Sequence, residues 1–394
     1  MLIEILLFLF AGIVAGTITG LIPGIHINLV GILIVSLSAT ALGFLDPIYF
    51  IVFITATAIT HTFVDFIPSV FLGCPDTDTE LSILPGHELL KKGRGYEAVL
   101  LTCYGSLAAV FLLIIITIPS IIIIPRIYEF IRTLTPYLLI LVSIILISLE
   151  KKKHKAALAF FLTGFLGLTV LNMPLKEPLL PLLTGLFGAS MLIISIKTKI
   201  KIPEQEITKP KTKIFKPLLG ALIASPLCSF LPGLGSGQAA IIGNLISKTN
   251  KKGFLILVGA TNTLVMGFSF VAFYLISRTR TGAAVAIKEI IGTLSPKLIF
   301  LILITILITG ILAFFLTPFL ARLFSKNITK IKYSAISIST ITLLILIIFF
   351  ISGLLGLIVF VASTLTGIYC ISLGIRRTNM MGCLLLPTII LYLF

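Results

Sequence analysis

A proline and three glycines interrupt an apolar run in the second half of this chain, at Ser229-Phe230-Leu231-Pro232-Gly233-Leu234-Gly235-Ser236-Gly237-Gln238. Proline removes a backbone donor, and glycine frees the backbone while adding no side chain to pack. In hydrocarbon each unpaired N–H or C=O costs several kcal/mol, so such a break survives only where protein buries it or it lines a wet cavity. A second break lies near the N-terminus, at Gly20-Leu21-Ile22-Pro23-Gly24-Ile25-His26. Paired interruptions in two halves of one hydrophobic chain point to a transporter's binding site.

The premise that the runs sit in a membrane comes from composition. With 58% hydrophobic and 11% charged residues and a mean hydropathy of +1.20, the chain is a polytopic α-helical membrane protein. Long unbroken apolar runs exclude the weak alternation of an outer-membrane barrel. A formal net charge of +16 would suggest nucleic acid in a soluble protein, but here Lys and Arg sit in short loops between spans. The five cysteines lack ligand spacing, so neither a disulfide framework nor a metal site is expected, and no cofactor beyond a coupling Na⁺ or H⁺. The N-terminal stretch carries Glu4 and no basic region, and reads as a retained membrane segment.

Taken in order, residues 1–19 and 25–43 flank the first break, as a re-entrant hairpin or as two crossings. A span at 48–73 carries Thr55, Thr57, Thr60, His61, Thr62, Asp65 and Ser69. A polar stretch, 74–97, is followed by spans near 98–123, 137–149, 156–172 and 181–196. Residues 197–216 hold seven lysines and read as a solvated linker. The pattern then restarts. Arms 217–231 and 238–247 flank the second break, a span at 254–277 carries Thr261, Asn262 and Thr263, a polar stretch reaches Lys297, and spans follow at 298–319, 334–351, 357–374 and 383–394. The predicted organisation is two repeats, 1–196 and 217–394, each a broken hairpin plus about five spanning helices.

Charge counting gives orientation. With the linker in the cytoplasm, 23 of the 30 Lys and Arg fall in loops on its side, including 74–97, 150–155, 247–253 and 375–382, and 7 fall opposite. Five crossings per half is odd, so the second repeat is predicted to be inverted relative to the first. Both termini are then extracytoplasmic, in a multi-pass protein of the cell membrane.

Three runs carry a family resemblance: Gly16-Thr17-Ile18-Thr19-Gly20-Leu21-Ile22-Pro23-Gly24-Ile25, the stretch Pro85 to Gly95 with its Gly93-Arg94-Gly95 turn, and Phe230-Leu231-Pro232-Gly233-Leu234-Gly235. They resemble the tripartite tricarboxylate transporter large permease family over most of the chain. The resemblance implies a permease for organic anions driven by an ion gradient. It also implies a small membrane subunit and an extracytoplasmic solute-binding protein as partners; a homo-oligomer fits equally.

The candidate residues follow from chemistry. An arm that restarts after a break offers free N–H groups and the positive end of a helix dipole to an anion. This singles out Pro23, Gly24, His26 and Asn28 in the first half, and Pro232, Gly233, Gly235, Ser236, Gly237 and Gln238 in the second. The competing reading is that the glycines only allow tight helix crossing. Arg278 and Arg280 suit a carboxylate or phosphate, or else snorkel to the interface. His61 and Asp65, four apart on one helical face, form a cation- or proton-sensing pair or a structural one. Thr57, Thr60, Thr261 and Asn262 are oxygen ligands for Na⁺ or substrate, or bond their own backbone. Asp76, Asp78 and Glu80 are a solvated loop or a cation site. No hydrolase motif is present, so an enzyme is not expected. Two functions remain open: a permease for a di- or tricarboxylate-like anion, and a flippase of polyprenyl phosphate or another anionic lipid.

Overall fold

The computed structural model describes residues 2–22, 31, 45–72, 79, 83–176, 178–198, 203–210, 212–230, 235–327 and 333–393. Among these the regular structure is helical. Among the described residues seven helices are long and apolar enough to cross a membrane. The helices are α1 (Leu2–Leu21), α2 (Pro47–Val64), α3 (Phe66–Leu72), α4 (Ile83–Leu90), α5 (Gly95–Ser148), α6 (Lys153–Leu171), α7 (Leu179–Leu183) and α8 (Ser190–Thr198) in the first half. The second half holds α9 (Phe215–Phe230), α10 (Ser236–Ser247), α11 (Lys251–Ile276), α12 (Gly282–Ile291), α13 (Pro296–Asn327), α14 (Tyr333–Ser372) and α15 (Gly382–Leu393).

Helix starts follow local chemistry. Asp46 caps α2 through Ile48 N at 2.9 Å with Pro47 in the first turn, where its missing N–H costs nothing. Asn250 caps α11 through Gly253 N at 2.9 Å, and Thr281 caps α12 through Ala284 N at 3.3 Å. The predicted spans are helical, but those over 136–148, 179–194 and 377–393 are shorter than the seven that are long enough to cross, which include Leu2–Leu21, expected as an arm of the first break; two connections also differ. Helix runs continuously through residues 124–136, which were expected to be a loop. Pro125 and Pro136 lie within that helix. The gap predicted between 351 and 357 is a kink inside α14 at Gly353, whose φ of 65° only glycine adopts easily.

The chain forms two compact units, and they cut across the two sequence halves. The larger comprises Met1–Ile127, Lys201–Phe230 and Gly235–Ile331. Its axis is a pair of enclosed helices: Pro47–Phe71 and Lys251–Ile276 are each 94% buried over their most apolar window, whereas the other five spans are 22–39% buried. Those outer helices turn Phe10, Ile118 and Phe315 outward, as lipid-facing surfaces do. The packing around the pair is matched between the halves. Helix α1 packs on α2 and α9 on α11; α13 packs on α2 and α12 on α2, while α4 packs on α11. Helix α5 also lies on α11, where a Cβ at Gly105 would meet Ala260 N at 2.9 Å and one at Gly259 would meet Thr102 Cα at 2.8 Å.

The smaller unit comprises Tyr128–Ile200, Leu231–Leu234 and Lys332–Phe394. It is matched in the same manner. Helix α6 packs on α15, and α7, α8 and the π-helical turn Thr184–Ala189 between them pack on α14. Small residues allow the approach: a Cβ at Gly164 would meet Leu386 Cβ at 2.9 Å, and one at Gly185 would meet Ser363 Cβ at 2.6 Å.

Helix α1 owes its seat on α2 to three glycines spaced by four. A Cβ at Gly12 would lie 2.6 Å from Phe53 O, one at Gly16 2.8 Å from Thr60 Cβ, and one at Gly20 2.9 Å from Val64 Cβ. Gly16→Leu is expected to lower stability by about 1–3 kcal/mol through overpacking. Val14→Leu, on the exposed side of the same helix, leaves it unchanged. Thermal unfolding in detergent measures both.

Candidate functional site

The polar side chains of the larger unit collect where α2 and α11 touch. Thr62 Oγ1 and Thr263 Oγ1 lie 3.2 Å apart. Asn262 Nδ2 donates to Asp65 Oδ2 at 2.9 Å and approaches Thr62 O at 3.4 Å. Thr19, in the last turns of α1, shares a 3.1 Å hydrogen bond with His61 Nδ1. His61, Thr62, Asp65, Asn262 and Thr263 are all buried. Thr57 and Thr261 bond their own helices through Phe53 O and Val258 O at 2.8 and 3.0 Å. Thr60 Oγ1 is buried with no hydrogen-bond partner among the described residues.

A pattern in the sequence marks this contact and was missed in reading it. Thr60-His61-Thr62 and Thr261-Asn262-Thr263 are the same triplet with a different centre, and the touching hydroxyls are equivalent atoms 201 residues apart. Helices α5 and α13 begin at residues 95 and 296, with the same separation. Just beyond, the motif Asp76-Thr77-Asp78-Thr79 answers to Arg278-Thr279-Arg280-Thr281. The final threonines play one part in both: Ser69 bonds Thr79 at 2.5 Å, and Ser269 bonds Thr281 at 2.7 Å.

The arms of both breaks reach this place. Gly20, in the last turn of α1, sits against Val64 and Asp65 N. In the first turns of α10, Ala240 packs with Phe66 and Val258. The two arms therefore touch neighbouring residues of one strand of helix, Val64 to Phe66. Gly31, in the arm after the first break, lies against Gly282 at the start of α12, where a Cβ would be 2.5 Å from Gly282 O. Pro23, Gly24, His26, Asn28, Pro232 and Gly233 lie outside the described residues, as do Asp76, Asp78 and Glu80.

Around the second break the described residues are Gly235, Ser236, Gly237 and Gln238. Ser236 and Gln238 are 1% exposed. Gln238 Oε1 accepts from Gly235 N at 2.7 Å, and its Nε2 has no partner among the described residues. This leaves a buried amide donor in the first turn of a helix. On the other side of the break, the Arg280 guanidinium donates to Cys228 O in the last turn of α9. It offsets the negative end of that helix dipole. Arg278 is exposed.

One end of the larger unit is fastened by charges that the sequence reading placed only as loop residues. Glu97 is fully buried, with Lys252 Nζ at 2.8 Å and Arg94 alongside. Lys251 pairs with Glu88 at 2.5 Å, and this hydrogen bond holds the Glu88 carboxyl below its ordinary range. The inter-repeat linker is seated here too. Gln205 accepts from Gly95 N at 2.8 Å and donates to Leu90 O at 3.1 Å, and Glu206 N donates to Gly93 O at 2.7 Å. One side chain thus satisfies the open end of α4 and the open start of α5. Stretches 74–97, 197–216 and 247–253, expected on one side of the membrane, are in contact at this end. In the smaller unit, Glu150 takes Arg376 N at 3.1 Å and Asn379 Nδ2 at 3.3 Å, joining two more loops expected on that side.

The chain matches the tripartite tricarboxylate transporter TctA family over residues 6–382. It is 32% identical to the uncharacterized protein MJ1079 of Methanocaldococcus jannaschii over 401 aligned positions, covering 98% of this chain and 99% of that one. No solved structure matches it.

Glu97→Gln leaves Lys252 and Arg94 without their shared carboxylate. Both cations are about one-third exposed, so the loss is expected at about 1–3 kcal/mol, below the 3–5 kcal/mol of a fully buried pair. Thermal unfolding of the purified protein checks it.

Proposed function

This chain belongs to the tripartite tricarboxylate transporter TctA family, a family of membrane transporters, and from that premise we propose that it is an ion-coupled permease moving a small organic anion of the di- or tricarboxylate type by alternating access. The observation that carries the reading is the meeting of both broken arms on Val64–Phe66 of the first enclosed helix. An anion there faces the N-terminal end of α10, the Gln238 amide and Arg280, while water is excluded by the surrounding helices. His61, Asp65 and Asn262 lie at the adjoining crossing and couple an ion to the movement.

The matched packing of the two halves supports two inverted repeats of re-entrant hairpin and spanning helices, with 197–216 as the linker between them. The contacts among loops with high positive charge support one common cytoplasmic face, with both termini on the other side of the cell membrane. A small membrane subunit and an extracytoplasmic solute-binding protein are the proposed partners of this permease.

Thermal stabilisation of the purified protein across citrate, succinate and polyprenyl phosphate tests the substrate. A tricarboxylate or dicarboxylate is expected to raise the melting temperature, and Arg280→Gln or Gln238→Ala to weaken that response at least tenfold. Stabilisation by polyprenyl phosphate alone makes the protein a lipid flippase instead; no response to any anion removes the anion site. Orientation is read separately. Lys209→Cys is expected to react with an impermeant maleimide only from the cytoplasm, and Val285→Cys only from outside. The reverse pattern inverts the assigned topology.

A further inference from the structure

Four lysines stand together at the start of α6 with no acid to answer them. Lys151, Lys152 and Lys153 are exposed and Lys155 is half-buried. The first turn holds no acidic residue, and Lys152, at the cap position, makes no side-chain hydrogen bond to the helix. A helix start carries the positive end of the dipole and ordinarily gathers a carboxylate or a hydroxyl cap; here lysine adds to it. Among the described residues no carboxylate pairs with any of the four. The acid beside them, Glu150, is committed to the other loop: its Oε1 accepts from Arg376 N at 3.1 Å and Asn379 Nδ2 at 3.3 Å, with Arg376 Nε 3.5 Å away. The short 3-10 turn Arg377–Met381 packs on α6, so this loop brings the exposed Arg376 to the same end. An apolar track leads away from the lysines. Leu158, Phe161, Leu162 and Phe165 are 39–59% exposed and share one face of α6 with Lys155, three residues before Leu158. The opposite face is buried, with Gly164 and Gly167 against Leu386 and Cys383 of α15. From Lys155 to Phe165 a helix rises about 15 Å, half the roughly 30 Å of a bilayer's hydrocarbon core.

We propose that this end of the smaller unit is a binding site for an acidic phospholipid of the surrounding bilayer. The phosphate sits among Lys151, Lys152, Lys153 and Arg376 at the start of α6, and one acyl chain lies along Leu158, Phe161, Leu162 and Phe165. The two features select the ligand together. A free anion finds the charge but gains nothing from the track, and a zwitterionic lipid finds the track but carries its own cation to the lysines. The bound phosphate relieves the repulsion among the lysines and the helix dipole, and ties the start of α6 to the loop that Glu150 braces. The site concerns the smaller unit alone and stands apart from the permease reading.

Thermal unfolding of the purified full-length protein in a neutral detergent tests it, with phosphatidylglycerol, phosphatidylcholine of the same acyl chains, or glycerol 3-phosphate added at low ionic strength. Phosphatidylglycerol is expected to raise Tm saturably, at a half-effect concentration at least tenfold below that of phosphatidylcholine, and the difference to shrink in high salt. Glycerol 3-phosphate is expected to have no effect at these concentrations; equal stabilisation by it makes the place a site for free phosphate esters and overturns the lipid. Lys151→Gln/Lys152→Gln/Lys153→Gln is expected to raise the half-effect concentration of phosphatidylglycerol at least tenfold. Arg376→Gln, on the other loop, raises it several-fold, and serves alone if the triple variant folds poorly. Lys209→Gln/Lys213→Gln/Lys216→Gln removes the same charge from the linker and leaves the response unchanged. Equal response to the two lipids, or the same loss in the linker variant as in the α6 variant, overturns the site.

Discussion

The contact between Thr62 and Thr263, a 3.2 Å hydrogen bond between equivalent atoms of two repeats, sets the terms for the rest of the larger unit. Two helices studded with hydroxyls, an amide, an imidazole and a carboxylate cannot face lipid. They are driven inward and against each other, and every other helix of the unit is arranged to cover them. Helices α1 and α13 cover α2; α9 and α5 cover α11. Glycine at the approach points brings the covering helices close enough to exclude lipid and water. Apolar side chains on the far faces of those helices then meet the bilayer.

Enclosure of this kind also explains why the chain tolerates breaks. An interrupted helix needs protein or a wet cavity around its unpaired backbone. The arms leading into and out of the breaks touch Val64, Asp65 and Phe66, beside the side chains best able to supply hydrogen bonds and charge. Polarity in the central helices and irregularity in their partners are thus one design. Arg280 adds to it from a different element, by neutralising the end of α9 that would otherwise repel an anion.

Much of this was legible in the sequence, because membrane sequences state their constraints openly. Apolar runs gave the helices to within a few residues, though not which of them are long enough to cross, and Lys and Arg counts grouped loops that the structure brings together at Gln205–Gly95 and Glu150–Arg376. The continuous helix through 124–136 was not legible, because Pro125, Pro136 and the charges between them read as a loop. His61 and Asp65 were paired by spacing alone, and the partners shown for them, Thr19 and Asn262, come from other helices. Glu97 was passed over as a loop charge, since nothing local announces that a carboxylate will be fully buried between two cations. The Thr-His-Thr and Thr-Asn-Thr triplets were legible in principle and point straight to the centre. The break residues themselves, Pro23 to Asn28, Pro232 and Gly233, lie outside the described residues and rest on sequence reasoning.

The central claim is that the two repeats meet at Thr62 and Thr263 in the working protein. The most direct measurement is oxidative cross-linking of Thr62→Cys/Thr263→Cys, in a protein with no other cysteine and a protease site in the exposed linker around Lys209. After membrane-permeant oxidation and cleavage, the two halves are expected to migrate as one disulfide-linked species that separates on reduction. Two separate fragments under oxidising conditions, with both thiols still free, would contradict the account.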